Sequence, residues 1–255
     1  MKKMFLPLFL VIAIALTACG GASAAPATAA ESTAAPAAES AAQPTPEPTP
    51  EAKIAYETTY SSFKLYTDSI GTIWGQTIVE IENTGSESLY LSSAACDVED
   101  ANGNLAASQS MLSIFPSAIA PGEKAYIYEE NTFDDLDVNA EYTIIPRFKA
   151  EKLKVESTRL NITEFTLKAD DFDGLKGLGR VENPTDKEVD GFVYVVVILL
   201  DAENKPVGQM FTFLDPIPAG EKVGFEVHSL ALPDDVNLDT VSDYQVFAYQ
   251  DVMQF

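Results

Sequence analysis

Histidine, cysteine and basic residues are scarce in this chain, and each shortage removes a class of function. Among 255 residues there are one His and two Cys, and 16 Lys and Arg stand against 39 Asp and Glu, a formal net charge of −23. With His228 as the only imidazole, a metal centre built on several histidines is excluded, and no metal or cofactor is expected. The shortage of bases argues against nucleic acid, because binding to a phosphate backbone is driven by Lys and Arg displacing counterions. No apolar run crosses a bilayer either: Met4 to Leu16, at about 1.5 Å per residue, falls short of a hydrocarbon core of about 30 Å. The length allows one or two domains with real cores.

What is present begins with an address. Lys2 and Lys3 precede the short apolar run, the flanks and length of a secretory signal peptide. The run ends in Leu16-Thr17-Ala18-Cys19-Gly20, which resembles the lipobox of bacterial lipoproteins. That resemblance implies that residues 1–18 are removed, that Cys19 becomes the first mature residue, and that it carries the lipid. The expected location is extracytoplasmic, at the cell membrane or envelope, with the membrane as a partner through the Cys19 lipid. Each buried methylene contributes about 0.8 kcal/mol, so two or three acyl chains anchor durably where one does not. The body loses Lys2 and Lys3 on cleavage and becomes more acidic still, so anionic lipid repels it.

Residues 19–52 read as a lipid-anchored disordered linker. Gly20 to Ala52 is nearly all Ala, Pro, Ser, Thr and Glu, with no aromatic residue to seed a core. Pro44 to Pro50 alternates proline with Thr and Glu and is expected in extended polyproline II, so the segment forms a stalk reaching on the order of 100 Å.

From Lys53 onward, alternating β-branched and aromatic residues punctuated by Gly, Pro, Asn and Asp predict an all-β protein. Four blocks recur at a spacing of about one hundred residues. Val79 to Thr84 answers Gly179 to Pro184, and Asp100 to Gly103 answers Asp201 to Asn204; Ile119 to Lys124 answers Ile217 to Lys222, and Glu141 to Ile144 answers Asp243 to Val246. The reading is two tandem immunoglobulin-like β-sandwiches, residues 53–149 and 150–255, with the same strand order. In the second, strands are expected near 162–168, 175–182, 191–200, 206–213, 222–230 and 244–250.

The second copy resembles the FxLYD domain of bacterial secreted proteins and lipoproteins. Gly179 to Thr185 fits its opening strand and turn, Val197-Ile198-Leu199-Leu200-Asp201 its naming motif, and Pro218 to Glu221 its late turn. Val197 stands for Phe and Leu200 for Tyr, and the first copy has Cys96-Asp97-Val98-Glu99-Asp100 at that place. The resemblance implies the sandwich fold and no enzymatic activity.

The chemistry-bearing residues read mostly as structural. Cys96, the counterpart of Val197, is expected as a small strand hydrophobe, and with Cys19 acylated no disulfide is expected. His228 falls at a strand end with no G-x-S-x-G or H-E-x-x-H motif beside it. The acid runs Asp134 to Asp137, Asp170 to Asp173 and Asp234-Asp235 miss the calcium-loop pattern and read as solvated loops. Asn161-Ile162-Thr163 matches a glycosylation sequon, coincidental behind a bacterial lipobox.

One strand carries an informative asymmetry. In the first copy Tyr90, Ser92, Ala94, Cys96 and Val98 are expected inward, and Leu91, Ser93, Ala95, Asp97 and Glu99 outward. In the second, Val193, Val195, Val197 and Leu199 face inward, which leaves Phe192, Tyr194, Val196, Ile198 and Leu200 on the outer face. An apolar outer face on an isolated sandwich invites association. Phe192, Tyr194, Val196 and Ile198 therefore form a candidate interface, covered by the other domain, by Val252 to Phe255 or by a partner protein. The functional expectation is a non-enzymatic binding or structural lipoprotein, with an accessory subunit of an envelope transporter or secretion complex as the alternative. A further alternative, an enzyme, requires a catalytic constellation that no motif supplies.

Overall fold

The computed structural model describes residues 53–170, 174–229 and 232–254, and these are all-β. The expected signal peptide, the expected lipobox residues Leu16, Thr17, Ala18 and Cys19, and the whole of the expected stalk fall within residues 1–52 and lie outside the described residues.

The first half contains β1 (Glu57–Thr67), β2 (Ile73–Glu82), β3 (Leu89–Asp100), β4 (Leu105–Leu112), β5 (Ile114–Phe115), β6 (Ala118–Ile119), β7 (Lys124–Thr132) and β8 (Tyr142–Lys152). One sheet runs β1-β2-β7-β5; in the other, β3 pairs with β4 and β8, and β6 joins its start. The second half contains β9 (Arg159–Asp170), β10 (Gly174–Glu182), β11 (Val193–Leu200), β12 (Pro206–Leu214), β13 (Lys222–His228) and β14 (Asp243–Gln250). Here β9-β10-β13 repeats β1-β2-β7, and β12-β11-β14 repeats β4-β3-β8. Arg159 and Leu160 at the start of β9 pair with β14 while the rest pairs with β10, so β9 stitches the two sheets together.

The duplicated blocks are the corners of these sandwiches. Asn83 is buried and donates Nδ2 to Glu87 O at 2.9 Å and Ile119 O at 3.1 Å; Asn183, also buried, donates to Lys187 O at 2.7 Å and Ile217 O at 2.9 Å. Each accepts on Oδ1 from the backbone N–H two residues on, Gly85 or Thr185. Asp100 and Asp201 organise equivalent hairpins, each Oδ1 accepting two backbone N–H groups. The left-handed position of these turns is filled by Gly103 at φ 77° and Asn204 at φ 59°, the residue types that tolerate it.

Each sandwich has its own core. Val193, Val195, Val197 and Leu199 pack with Leu175, Val181, Met210 and Ile217 in the second, as the alternation of β11 requires. In the first, Ala94, Cys96 and Val98 point inward as expected, but Leu91 is buried and Tyr90 is not, which corrects the simple alternation. The cause is a bulge: Ser93 adopts φ 56°, and two residues of β3 stand against one of β8 between Ser92 and Ala95. One extra residue exchanges the faces of a strand, so Leu89 and Leu91 replace Tyr90 and Ser92 in the core. The boundary between residues 149 and 150 also shifts, because β8 continues to Lys152; the halves are joined by residues 153–158.

Candidate functional site

The outer face of β11 is covered by the first sandwich. Val196 is 0% exposed and Ile198 1%, and with Leu200 and Tyr249 they pack against Tyr126 of β7, itself 1% exposed. Tyr194, half-buried, stacks on Tyr249 with ring centres 5.9 Å apart and lies 5.8 Å from Phe115 of β5. Register explains who meets whom. Val196 pairs with Phe247 and Phe211, and Ile198 with Gln245 and Gln209, so these side chains share the outer face of β12-β11-β14. Ile78 pairs with Tyr128 and Gln76 with Glu130, which puts them on the outer face of β1-β2-β7. The two outer faces meet, and each large aliphatic side chain removed from water there contributes roughly 1.5–3 kcal/mol. Phe192 is the exception: it is 58% exposed, and its ring meets that of Phe213, itself 59% exposed, edge-on at 5.4 Å.

Polar bonds fix the register of this interface. Tyr126 donates its hydroxyl to Gln245 Oε1 at 3.0 Å, and Gln76 donates Nε2 to Val207 O at 3.2 Å. Arg159 of β9 reaches back to Ala118 O at 2.7 Å and Glu123 at 2.6 Å, with its guanidinium over the Tyr249 ring. Lys64 pairs with Asp235 at the rim, and Gln254 near the C-terminus is bonded to Lys152 and Lys154 beside the link.

Where the faces diverge, a cleft of about 350 Å³ opens between the sandwiches. Trp74, Phe115 and Phe211 supply its aromatic walls, and Glu129, Glu130 and Gln209 its polar groups. Glu130 accepts from Tyr128 at 2.6 Å and Tyr66 at 3.2 Å, and its carboxyl is held above the ordinary range because burial outweighs those bonds. Burial first, then the Glu130 charge, pushes the Tyr66 and Tyr128 hydroxyls far up, so both remain donors. Trp74 is oriented by its indole N–H, which donates to Asp68 at 3.0 Å. A larger recess of about 680 Å³ lies beside Arg159 and Lys124, but those cations already hold Glu123 and Glu80, and its rings Tyr126 and Phe247 are engaged in the interface.

The other singled-out residues have local partners. Cys96 is fully buried, and desolvation pushes its thiol up to about 11, so it is a core residue rather than a nucleophile. His228 closes β13 with Nδ1 2.8 Å from Asp170 and Nε2 2.7 Å from Glu226. Among the described residues no group of three His, Cys, Asp or Glu side chains is placed to hold a metal ion, and no helix is long and apolar enough to cross a membrane. Asp137 caps its own turn through Asn139, and part of the run Asp170 to Asp173 lies outside the described residues.

The cleft was not foreseen in the sequence. Its signal is the polar-aromatic register Trp74, Gln76, Ile78 on β2 with Tyr126, Tyr128, Glu130 on β7, too apolar for a water-facing surface.

No protein-family model matches the chain, and no curated protein matches it. Among solved structures, a beta-glucuronidase from glycoside hydrolase family 2 is similar over 72% of this chain at 11% identity, with a TM-score of 0.22. The chain spans only 21% of that structure's length, and at this level of likeness no property of the glucuronidase transfers.

Proposed function

We propose that this chain is a lipid-anchored extracytoplasmic lipoprotein whose paired FxLYD-like sandwiches act as a non-enzymatic binding module of the cell envelope. The observation that carries the binding role is the joint itself. Val196 and Ile198 lock one sandwich onto Tyr126 of the other, and the same joint holds a cleft lined by Trp74, Phe115, Phe211 and two carboxylates. Binding sites concentrate at such domain junctions, where apolar walls and a few fixed polar groups converge. The anchoring half rests on Lys2, Lys3 and the Leu16-Thr17-Ala18-Cys19 run, and the stalk on the prolines between Pro26 and Pro50.

Metabolic labelling with a fatty-acid probe tests the anchor: the wild-type chain is labelled, whereas Cys19→Ser is unlabelled and uncleaved at that site. A labelled Cys19→Ser protein overturns it. The second reading, an accessory subunit of an envelope transporter or secretion complex, draws on the exposed Phe192–Phe213 pair beside the joint. A photo-crosslinker at position 213 in intact cells separates the two: capture of a permease or secretion component favours the accessory role, and no protein capture favours the binding module.

A further inference from the structure

Strand β12 leaves open an edge of the kind that the other long edge strands protect. It pairs with β11 along one side and, among the described residues, with no strand along the other, and its register from Gly208 to Leu214 runs unbroken. Unpaired edges are ordinarily blunted by charge, proline or a bulge. β1 carries Glu57 and Lys64, β13 carries Lys222 and Glu226, and β8 carries Arg147, Lys149 and Glu151 beside Pro146. β4, the counterpart of β12 in the first sandwich, is also uncharged, but its pairing with β3 slips twice and Met111 stands at φ 61°. From Gly208 to Leu214, β12 has no charge, no proline and no bulge. It presents rings instead: Phe211 and Phe213 lie opposite Val196 and Tyr194 on the outer face, both exposed, with Phe192 beside them. This patch is continuous with the joint, because Phe211 stacks on Phe115 of the first sandwich with ring centres 5.3 Å apart.

The order of residues points to the occupant. Met210-Phe211-Thr212-Phe213-Leu214 reads alike in both directions by residue class: apolar, Phe, Thr, Phe, apolar. Antiparallel pairing sets one strand against the reverse of the other, so a strand with this symmetry matches a second copy of itself about a two-fold axis. We propose that β12 is a self-association edge and that two copies of this chain join through antiparallel β12–β12 pairing centred on Thr212. Thr212 of one copy then lies opposite Thr212 of the other, each Phe211 opposite the other copy's Phe213, and all four rings share the outer face. Aromatic and Thr–Thr cross-strand pairs of this kind stabilise a sheet. Three exposed rings per copy fall short of the roughly 800 Å² per partner of a standard interface, so the dimer is weak and reversible. The seam is uncharged while each copy carries a net charge of −23, so salt screens the repulsion and spares the attraction. Association therefore tightens as ionic strength rises, whereas a basic partner protein on the same edge would loosen. The inference goes beyond the binding module and depends on neither the anchor nor the cleft.

The full chain is examined by sedimentation equilibrium in density-matched detergent at submillimolar concentration, in low and in high salt. A monomer–dimer equilibrium that shifts toward dimer in high salt is expected. Phe213→Lys reduces the net charge yet places a cation in the seam twice; it should weaken association at least about tenfold with an unchanged thermal midpoint. Thr212→Cys reads the register, because only pairing centred on this residue brings two copies of it within disulfide reach. Under mild oxidation it should form a covalent dimer much faster than wild type or Ser110→Cys on β4, both of which keep Cys19 and Cys96. A photo-crosslinker at position 213 in intact cells should capture a second copy of the chain. A monomer under all these conditions, a dimer that Phe213→Lys leaves intact, equal oxidation rates for Thr212→Cys and Ser110→Cys, or capture at position 213 of a foreign protein alone overturns the self-association edge. If Phe213→Lys fails to fold, the oxidation rates of Thr212→Cys and Ser110→Cys decide.

Discussion

Tyr126 of the first sandwich donates its hydroxyl to Gln245 of the second at 3.0 Å, from within an apolar cluster where Tyr126 itself is 1% exposed. The bond is directional where the surrounding contacts are not, so it selects one register among the ways two apolar sheet faces could slide. Tyr126→Phe keeps the packing and orphans the Gln245 acceptor. It should lower stability by about 1 kcal/mol and broaden the backbone amide signals of β14; sharp wild-type signals and unchanged stability would assign the register to packing alone.

Ile198 tests the apolar part of the same joint. Ile198→Ala leaves a cavity between the sandwiches and should cost about 2–4 kcal/mol in urea unfolding, whereas Phe192→Ala, on the same strand face but exposed, should stay within about 0.5 kcal/mol. Equal small effects would mean that the two sandwiches separate freely in solution.

Asn83 and Asn183 make the same corner twice, so their substitutions should behave alike. Replacement of either by Ala strips the donors from two buried carbonyls and the acceptor from one backbone N–H, and about 3 kcal/mol of stability should go with them. Asn183→Asp should be worse than Asn183→Ala, since a carboxylate faces the carbonyls of Lys187 and Ile217 with no proton to give. A loss under about 1 kcal/mol in both halves would show that water replaces the amide.

These corners explain why so much of the architecture was legible. A buried Asn followed two residues on by its own turn, or an Asp ahead of a left-handed Gly or Asn, writes local hydrogen bonding directly into sequence, and both recur at the repeat spacing. The valine alternation of β11 was equally direct. What escaped is non-local. Nothing around Ser93 announces that β3 bulges there, because the bulge answers the pairing with β8, more than fifty residues away. The cleft escaped for the same reason: Trp74, Glu130 and Gln209 come from β2, β7 and β12, and only the docking of two sheets makes them neighbours.

His228 predicts a pH effect of definite sign. Both ring nitrogens face carboxylates, which only accept, so the bound ring is the doubly protonated form, and its pKa is raised by Glu226 first and Asp170 second. A raised histidine contributes stability that is complete below its unfolded value and disappears as pH rises through the folded one. His228→Asn should therefore lower the urea midpoint in mildly acidic buffer and leave it nearly unchanged in alkaline buffer. Loss of the same size at both ends would point to packing instead of charge.

Glu130 predicts a pH effect within the cleft itself. Burial raises its carboxyl, and the bonds from Tyr128, Tyr66 and Gln76 lower it by less, so in the window between the ordinary and the raised value the folded chain holds a proton that the unfolded chain has released. The contribution is complete below the ordinary value and is lost as pH rises through the raised one, because the ionised form must then be kept away from water. Glu130→Gln cannot ionise and can still accept from Tyr128 through its amide oxygen. The difference in urea midpoint between variant and wild type, which cancels the chain's other carboxylates, should move in favour of the variant as pH rises through that window. A difference that stays flat from acid to neutral pH would mean that Glu130 is hydrated in the folded protein and that the cleft is open to bulk water at this carboxyl.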